Sequence, residues 1–257
     1  ESDALFKDLL ISVTRFFRDK ETWHTLAEQL PKLLRNRERE GKVRAWVPGC
    51  ATGEEAYGLA MLILDSLSET KRWPEIVVFA SDIDEQALAH GRRGLYSESI
   101  ADDVPERFLQ RYFIREGCHY RVSQEVRECM LFASHDLLSD SPFSKLDIIS
   151  CRNLLIYLNK SMQENVFRIF HYALHPGGLL LLGNAESADG NTKLFRKVNK
   201  EHRLYERAKT KETPRLPTTH FAERNLSDSQ KPSISSSLPS TKSDLARHQQ
   251  IIESLVP

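Results

Sequence analysis

Apolar and polar positions along residues 1–208 form blocks that alternate between strand-like and helix-like patterns. Short, largely apolar runs predict buried strands at Val43–Val47, Ile76–Ala80, Met130–Ala133, Leu146–Ser150 and Leu179–Leu182. Apolar residues at helical spacing predict helices at Glu54–Leu67, Asp84–Arg92 and Lys160–Leu174. Strands that alternate with helices in this way favour an open, mostly parallel sheet with helices on both faces. The pattern therefore predicts a doubly wound α/β fold.

Three further segments refine this prediction. Phe195–Val198 and Arg203–Glu206 are strand-like, and we expect them to form a closing antiparallel pair. Thr22–Arg39 is helical in pattern but contains Pro31, which predicts two helices or one kinked helix. The sequence His175–Gly178 (HPGG) predicts a turn before the last parallel strand.

Residues 93–129 interrupt the alternation of strands and helices. Within them, Tyr112–Ile114 and His119–Val122 are short strand-like runs on either side of Glu116-Gly117. Such runs around a glycine predict a hairpin. We therefore expect a small antiparallel β-subdomain inserted at about residues 93–129.

The composition of the chain changes near residue 208. Lys209–Ser243 is rich in Ser, Thr, Pro and Lys and has few large apolar residues, which predicts a disordered linker. Residues 244–257 regain a helical pattern, and we expect them to start a helix that leads to a further domain. Residues 1–208 are then the folded unit.

Charge and cysteine content exclude some classes of protein. The 257 residues include 36 Lys+Arg and 36 Asp+Glu, and this balance disfavours binding to nucleic acid or to an anionic membrane surface. No apolar run approaches the roughly 18 residues that a transmembrane helix needs. The four cysteines, Cys50, Cys118, Cys129 and Cys151, resemble buried thiols of a reducing compartment, and neither they nor the histidines have metal-ligand spacing. We expect a cytoplasmic protein without a bound metal.

The loop after the first strand, Pro48–Glu55, is the first candidate ligand loop. In open α/β sheets ligands bind at the carboxyl ends of the strands, where the strand order reverses. Gly49 and Gly53 allow a tight turn, but the loop lacks the full GxGxxG pattern of dinucleotide sites. Glu54 and Glu55 at the start of the helix disfavour a pyrophosphate and favour a ligand with a cationic group. The alternative is that Thr52 and Glu55 form a capping box.

Polar residues also follow the other parallel strands. Asp82 is placed to accept hydrogen bonds from ribose hydroxyls, whereas Asp84 suits the N-cap of the next helix. The third loop contains Asp136, and the fourth contains Arg152 and Asn153, which are unusual core residues. Tyr157, taken alone, fits either the site or a packed aromatic.

A polar and aromatic segment precedes the sheet. Phe16 and Phe17 are expected to anchor it in the core, so that Thr14 and Arg18 are held over the sheet edge. Arg18 can then bind a carboxylate through two of its guanidinium nitrogens, although a solvated arginine on a surface helix is the alternative.

Five motifs, in the order VTRFFRD, PGCATGEEAYGLAM, FASDID, CRNLLIYL and HPGGLLLLGNAES, together resemble the CheR family of chemotaxis receptor methyltransferases. The resemblance covers about residues 5–207. Members of this family use S-adenosyl-L-methionine to methylate glutamate side chains of receptors. The resemblance implies a class I methyltransferase sheet of seven mostly parallel strands with an inserted β-subdomain.

The family's site residues are carried over to matching positions of this sequence. The cofactor site implied by the resemblance consists of Ser12, Thr14, Arg18, Glu55, Asp82, Asp136, Leu137, Arg152 and Asn153. Arg18 would bind the methionine carboxylate, Glu55 its ammonium and Asp82 the ribose, while Asp136 and Leu137 would frame the adenine. Arg18 and Tyr157 would orient the reacting groups near the transferred methyl.

The sequence departs from the family at several points. Ser12 and Asp136 stand where many members have Asn, and the basic helical domain that usually precedes the catalytic domain is not part of the sequence. The hairpin turn Arg115–His119 is shorter than in members that bind a receptor's C-terminal tether peptide, which disfavours binding of such a peptide. The implied partners are cytoplasmic helices of chemoreceptors, and the variant VTRFFRD resembles members that are fused to further signalling domains.

Two other functions remain open from the sequence. The chain could be a non-catalytic module that binds S-adenosyl-L-methionine or its product, S-adenosyl-L-homocysteine, and signals to neighbouring domains. It could also methylate nucleic acid or a small molecule, although the zero net charge and the lack of an NPPY motif argue against nucleic acid.

Overall fold

The computed structural model describes residues 14–37, 41–68 and 74–209, with the backbone only at residues 36 and 37, and these lie in one compact unit. The predictions for Ser12, for the linker beyond residue 209 and for the helix at 244–257 fall outside the described residues. The helices are α1 (Lys20–Arg37), α2 (Glu54–Leu67), α3 (Glu85–Arg93), α4 (Glu106–Tyr112), α5 (Gln124–Glu128) and α6 (Lys160–Ala173). The strands are β1 (Lys42–Pro48), β2 (Glu75–Asp82), β3 (Leu95–Ser97), β4 (Phe113–Glu116), β5 (His119–Val122), β6 (Met130–Ser134), β7 (Leu146–Cys151), β8 (Leu174–Leu182), β9 (Phe195–Asn199) and β10 (Leu204–Arg207).

Seven strands form the main sheet in the order β6-β2-β1-β7-β8-β10-β9. The pairs among the first five of these strands are parallel, and β10 runs antiparallel to both β8 and β9. Every residue of β7 is buried, as expected for a strand covered on both faces. The predicted mostly parallel sheet with a closing antiparallel pair is confirmed.

The structure decides between the alternatives for one local prediction and corrects another. Helix α1 contains Pro31 and continues as one helix to Arg37, which excludes the alternative of two helices. The predicted turn at His175–Gly178 lies inside β8: Leu174 pairs with Leu146, and the next pair is Leu179 with Ile148. The extra residues therefore form an irregularity in the strand, where Gly177 takes a positive φ of 83°.

The inserted subdomain is a three-stranded antiparallel sheet in the order β3-β5-β4. The predicted hairpin is present, with Phe113 opposite Val122 and Glu116 opposite His119, and Gly117 turns it with a φ of 62°. The sequence pattern missed β3, which pairs with β5 through Leu95–Ser97.

The hydrophobic core lies on both faces of the main sheet. One cluster joins α1, α2 and the small sheet to alternate residues of β1, such as Val43 and Ala45. The other cluster joins α6 to the opposite residues, including Trp46 and Ile149. Among the described residues, no helix combines the length and the apolar character that crossing a membrane would require.

The segment Thr14–Asp19, which we call the N-terminal strap, is anchored to the core by two phenylalanines, as the sequence predicted. The Phe16 ring packs edge-on against Tyr96 and Phe113 of the small sheet, with centroid distances of 5.0 and 5.5 Å. The Phe17 ring packs against Trp23 of α1 at 5.4 Å. The strap therefore joins the small sheet to α1.

Truncation of Phe16 tests this anchoring. Phe16→Ala removes a ring that is 1% exposed, and we expect it to lower the free energy of unfolding by about 3 to 5 kcal/mol. Tyr172→Ala, at an exposed position of α6, is the control and should change it by about 0.5 kcal/mol or less. Urea unfolding measures both, and equal losses would contradict the anchoring.

Candidate functional site

The candidate site lies at the carboxyl ends of the parallel strands. Strand β1 has β2 on one side and β7 on the other, so connections leave it in opposite directions. Pro48 at the end of β1 pairs with Ser81, and Asp82 at the end of β2 pairs with Ser134. The four predicted loops thus share one edge of the sheet, at the position where open α/β sheets bind ligands.

The loop after β1 is held in a conformation with several left-handed residues. Gly49, Ala51 and Gly53 have φ values of 65°, 47° and 96°. A Cβ atom at Gly53 would lie 3.0 Å from the Phe132 ring. Both this close approach and the positive φ favour glycine at the position. The Ala51 N–H donates to Asp82 Oδ2 at 2.8 Å, which joins this loop to the end of β2.

The capping box, which the sequence left as the alternative for this loop, is not formed. The N-cap of α2 is Gly53, and the Thr52 hydroxyl instead donates to Glu54 Oε2 at 2.6 Å. Burial raises the pKa of Glu54 to about 7, although the Thr52 hydrogen bond opposes the shift. The two glutamates of the first turn are therefore available for roles other than capping.

Glu55 is paired with groups on β7 and in the loop after it. The Ser150 hydroxyl donates to Glu55 Oε1 at 2.6 Å, and Arg152 Nη1 lies 4.0 Å from Glu55 Oε2. Burial raises the pKa of Glu55, and the positive charge of Arg152 is the main influence that lowers it. Arg18 also lowers this pKa, so the predicted cation and anion of the site interact electrostatically.

The Arg152 side chain is buried, with 1% of it exposed. Its Nη2 forms an ion pair with Asp19 Oδ2 at 2.6 Å, and its guanidinium lies over the Trp23 ring at 5.6 Å. Arg152 thus joins the N-terminal strap to Glu55 at the start of α2. This bridge depends on Asp19, a residue that the sequence analysis did not single out.

The N-terminal strap holds Arg18 outward. Phe17 and Asp19, on either side of it, have positive φ values of 49° and 58°. Arg18 is exposed, while its backbone carbonyl accepts a hydrogen bond from Trp23 Nε1 at 2.9 Å. Thr14 is partly buried and lines a cleft of about 790 Å³ together with Glu54.

The two aspartates after β2 have the separate positions that the sequence suggested. Asp84 is the N-cap of α3, and its side chain accepts from the N–H groups of Gln86 and Ala87. Asp82 accepts from Ala51 through Oδ2 and from the Asp84 N–H through Oδ1. Each Asp82 oxygen has a second lone pair for another donor.

The loop after β6 lies at the same edge, separated from β1 by β2. Asp136 accepts from the Leu138 N–H at 2.9 Å and from the Ser139 hydroxyl at 2.8 Å. Leu137 is buried beside the core cluster that contains Trp46. The Asp136 carboxylate therefore shapes its own loop.

The loop after β7 contains Asn153 and Tyr157. Asn153 takes a φ of 60°, and its N–H donates to Glu186 Oε2 at 3.0 Å. Tyr157 is 54% exposed, so it is not a packed aromatic. Sequence reasoning gave no role to Glu186, which the structure shows to be buried. Its position three residues after Gly183, within the fifth motif, was the available signal in the sequence.

Removal of the Arg152 guanidinium tests the buried bridge. Arg152→Met leaves Glu55 and Asp19 without their partner, and we expect a loss on the order of 3 kcal/mol in the free energy of unfolding. Glu55 then loses the cation that most lowers its pKa, so the loss should be larger at pH 8 than at pH 5, where protonation relieves the buried charge.

The control for this prediction is Arg196→Met, which removes an ion pair with Glu206 from an exposed position. It should cost less than about 1 kcal/mol, with little dependence on pH. Urea unfolding at both pH values measures the two variants, and equal losses would exclude the bridge as a major constraint.

The chain is similar to known proteins over most of its length. Residues 12–204 match the family described as the CheR methyltransferase, SAM binding domain. A chemotaxis protein methyltransferase of Salmonella typhimurium is 38% identical over 197 residues, which cover 73% of this chain and 64% of that protein. The putative methyltransferase Cher3 of Pseudomonas putida is 31% identical over 193 residues, which cover 72% of this chain and 68% of that protein.

An uncharacterized 104.1 kDa protein of Rhodobacter capsulatus is 38% identical over 232 residues, which are 85% of this chain but 24% of that protein. A solved glycopeptide N-methyltransferase, MtfA, aligns at a TM-score of 0.35 and 15% identity over 55% of this chain and 43% of its own. The match to residues 12–204 covers more than half of the sequence. The chain therefore belongs to the CheR methyltransferase family, in the part described as its S-adenosyl-L-methionine-binding domain.

Proposed function

We propose that the chain transfers a methyl group from S-adenosyl-L-methionine to glutamate side chains of chemotaxis-type receptors, giving glutamate methyl esters. The observation that carries the proposal is the pairing of buried Glu55 with Arg152 and Ser150 at the sheet edge, within electrostatic reach of the exposed Arg18. The family supplies the coarser statement, a methyltransferase that binds this cofactor.

The residues at the sheet edge fit the groups of this cofactor. Its methionine part carries an ammonium and a carboxylate, which call for one anion and one cation, and Glu55 and Arg18 supply them. Asp82 has a free lone pair on each oxygen for ribose hydroxyls. Asp136 and Leu137 keep the adenine role that the family resemblance implies, and their loop lies on the β2 side of β1.

The remaining assigned residues have more indirect positions. Arg152 is buried against Asp19 and Glu55, so its proposed role is to position Glu55 and the strap rather than to contact the cofactor through its guanidinium. Thr14 and Asn153 keep the contact roles implied by the family. Ser12 also keeps its assignment, although it lies outside the described residues.

The chemistry needs positioning more than proton transfer. An acceptor glutamate is already ionised at neutral pH, so this chain needs no general base. When bound, S-adenosyl-L-methionine supplies an electrophilic methyl group and leaves as S-adenosyl-L-homocysteine. The roles left to the protein are to orient the acceptor carboxylate, which we assign to Arg18 and the exposed Tyr157, and to exclude water.

The proposed acceptors are the cytoplasmic helices of chemoreceptors, which places the reaction in the cytoplasm. The chain spans a quarter of the Rhodobacter capsulatus protein and about two thirds of the chemotaxis relatives, so these partners belong to the proposal. Covalent fusion to other signalling domains stays a prediction from the VTRFFRD motif.

The proposal is tested by incubating the protein with labelled S-adenosyl-L-methionine and cytoplasmic fragments of chemoreceptors. We expect label on the receptor fragment that mild alkali releases, because carboxyl methyl esters hydrolyse in base. An alkali-stable product would refute glutamate methylation. Tight cofactor binding without any methylated receptor would support the non-catalytic regulatory module instead.

The raised pKa of Glu55 predicts pH-dependent cofactor binding. Only ionised Glu55 attracts the ammonium. The affinity for S-adenosyl-L-homocysteine should therefore be highest above the raised pKa of Glu55 and should fall as the pH drops through that pKa. Glu55→Gln should weaken binding by about tenfold, the equivalent of roughly 1.4 kcal/mol, and should flatten this dependence.

Calorimetry across pH 5 to 8 measures this prediction. Glu75→Gln is the matched control, because Glu75 is exposed at the opposite end of β2 and pairs with Lys42. It should bind like the wild type. A Glu55→Gln protein that kept the full pH dependence would show that another group, such as Glu54, causes it.

A further inference from the structure

The carboxylate of Glu186 is a buried acceptor that the proposed mechanism leaves without a role. The residue is 4% exposed. Its Oε1 accepts from the Leu155 N–H at 2.7 Å, and its Oε2 accepts from the Asn153 N–H at 3.0 Å and from the Gly183 N–H at 2.7 Å. One side chain therefore satisfies three backbone donors.

These donors belong to the ends of two neighbouring strands. Cys151 and Leu182 are paired at the ends of β7 and β8, and the chain leaves both strands directly after them. Glu186 bridges the two departing segments at this point. The space is tight, because a Cβ atom at Gly183 would lie 2.7 Å from Glu186 Oε2 and 2.9 Å from the Asn153 nitrogen.

The segment after β7 is also held from its other side. Gln163 Nε2 donates to the carbonyls of Leu155 and Leu158 at 3.0 and 2.9 Å. Leu155 is buried, whereas Tyr157 in the same turn is exposed. Because the Leu155 N–H is bound by Glu186 and the Leu155 carbonyl by Gln163, the turn holds Tyr157 in a defined position.

Glu186 also influences the cofactor side of the site. Its negative charge is one of the influences that raise the pKa of Glu55. Arg152, which pairs with Glu55, directly precedes Asn153, whose N–H Glu186 holds. The anchored segment thus runs from the partner of Glu55 to the exposed tyrosine.

We propose that Glu186 is a positioning residue for methyl transfer: by binding the N–H groups of Asn153, Leu155 and Gly183, it sets the place of Tyr157 against the acceptor. The inference rests on the proposed function. Glu186 binds the backbone N–H of Asn153 and not its side chain, and Glu55 and Asp82 stand on other loops, so the proposal gives Glu186 no direct contact with the cofactor. Loss of the anchor should therefore lower kcat more than cofactor affinity.

Two variants disturb the anchor in different ways. Glu186→Gln places an amide N–H₂ where a carboxylate oxygen accepted, so at least one backbone N–H loses its partner. Gly183→Ala drives a methyl group into the Glu186 and Asn153 contact. For each we expect kcat for methyl ester formation to fall by about tenfold to a hundredfold, with the dissociation constant for S-adenosyl-L-homocysteine changed by less than about threefold.

The double variant tests whether both act through the same contact. If they do, the kcat of the double variant should be close to that of the less active single variant. Independent effects would instead multiply the two losses in kcat. The matched controls are Glu164→Gln, exposed on α6, and Gly190→Ala, where a Cβ atom meets nothing within 4 Å. Both should keep the wild-type kcat.

A purely structural role makes different predictions. Val126→Ala, in the small subdomain, removes buried apolar volume away from the site and supplies a variant of lowered melting temperature with normal kcat. If Glu186→Gln keeps the wild-type kcat, or loses cofactor affinity and kcat equally, the positioning role is overturned. If the wild type forms no alkali-labile ester, the proposed function fails and the inference fails with it.

Hydrogen exchange gives a readout without an acceptor. Glu186→Gln should speed exchange at the amides of Asn153 and Leu155 relative to those of β7. Unchanged protection at both amides would show that the carboxylate does not hold the segment, whatever the activity.

Discussion

The buried guanidinium of Arg152 is the interaction on which the arrangement of the site depends. It joins the N-terminal strap through Asp19, the first turn of α2 through Glu55, and the end of β7 through its own backbone. A charge taken out of water is costly unless its partners are in place, so the three parts are held together or not at all. The same cation limits how far burial raises the pKa of Glu55. If Glu55 binds the cofactor as proposed, cofactor affinity and folding are coupled at Arg152.

Backbone strain is concentrated around this bridge. Among the residues that the structure describes, the non-glycine positions with positive φ include Phe17 and Asp19 in the strap, Ala51 after β1 and Asn153 after β7. Such conformations cost energy and persist where surrounding contacts determine them. Here the contacts are the buried Phe17 ring, the Asp19–Arg152 ion pair, and the hydrogen bonds to Asp82 and Glu186. The strained loops are thus held by the interactions that also shape the site.

Local pattern predicted the sheet well because burial on both faces requires continuous apolar runs, as in β2 and β7. It missed β3, because three residues are too few to show a period, and it placed a turn where β8 continues. For the candidate site, the rule about strand ends selected loops that the structure brings to one edge of the sheet. It could not predict that Arg152 pairs with Asp19, 133 positions earlier, or that Glu186 collects N–H groups 31 and 33 positions away. Those contacts arise only when distant loops meet at one sheet edge.

The two glutamates of the first turn of α2 show how neighbouring residues acquire different roles. Glu55 faces Arg152 and Ser150, whereas Glu54 is bonded to Thr52 and lines the cleft next to the N-terminal strap. Burial raises the pKa of Glu54 to about 7, so its charge responds to its surroundings near neutral pH. The positive end of the helix dipole favours the charged form of both side chains, and a cationic ligand would favour it further. Because burial raises both pKa values, the negative charge at the start of α2 depends on what binds there, and a cation is the ligand that this turn is suited to hold.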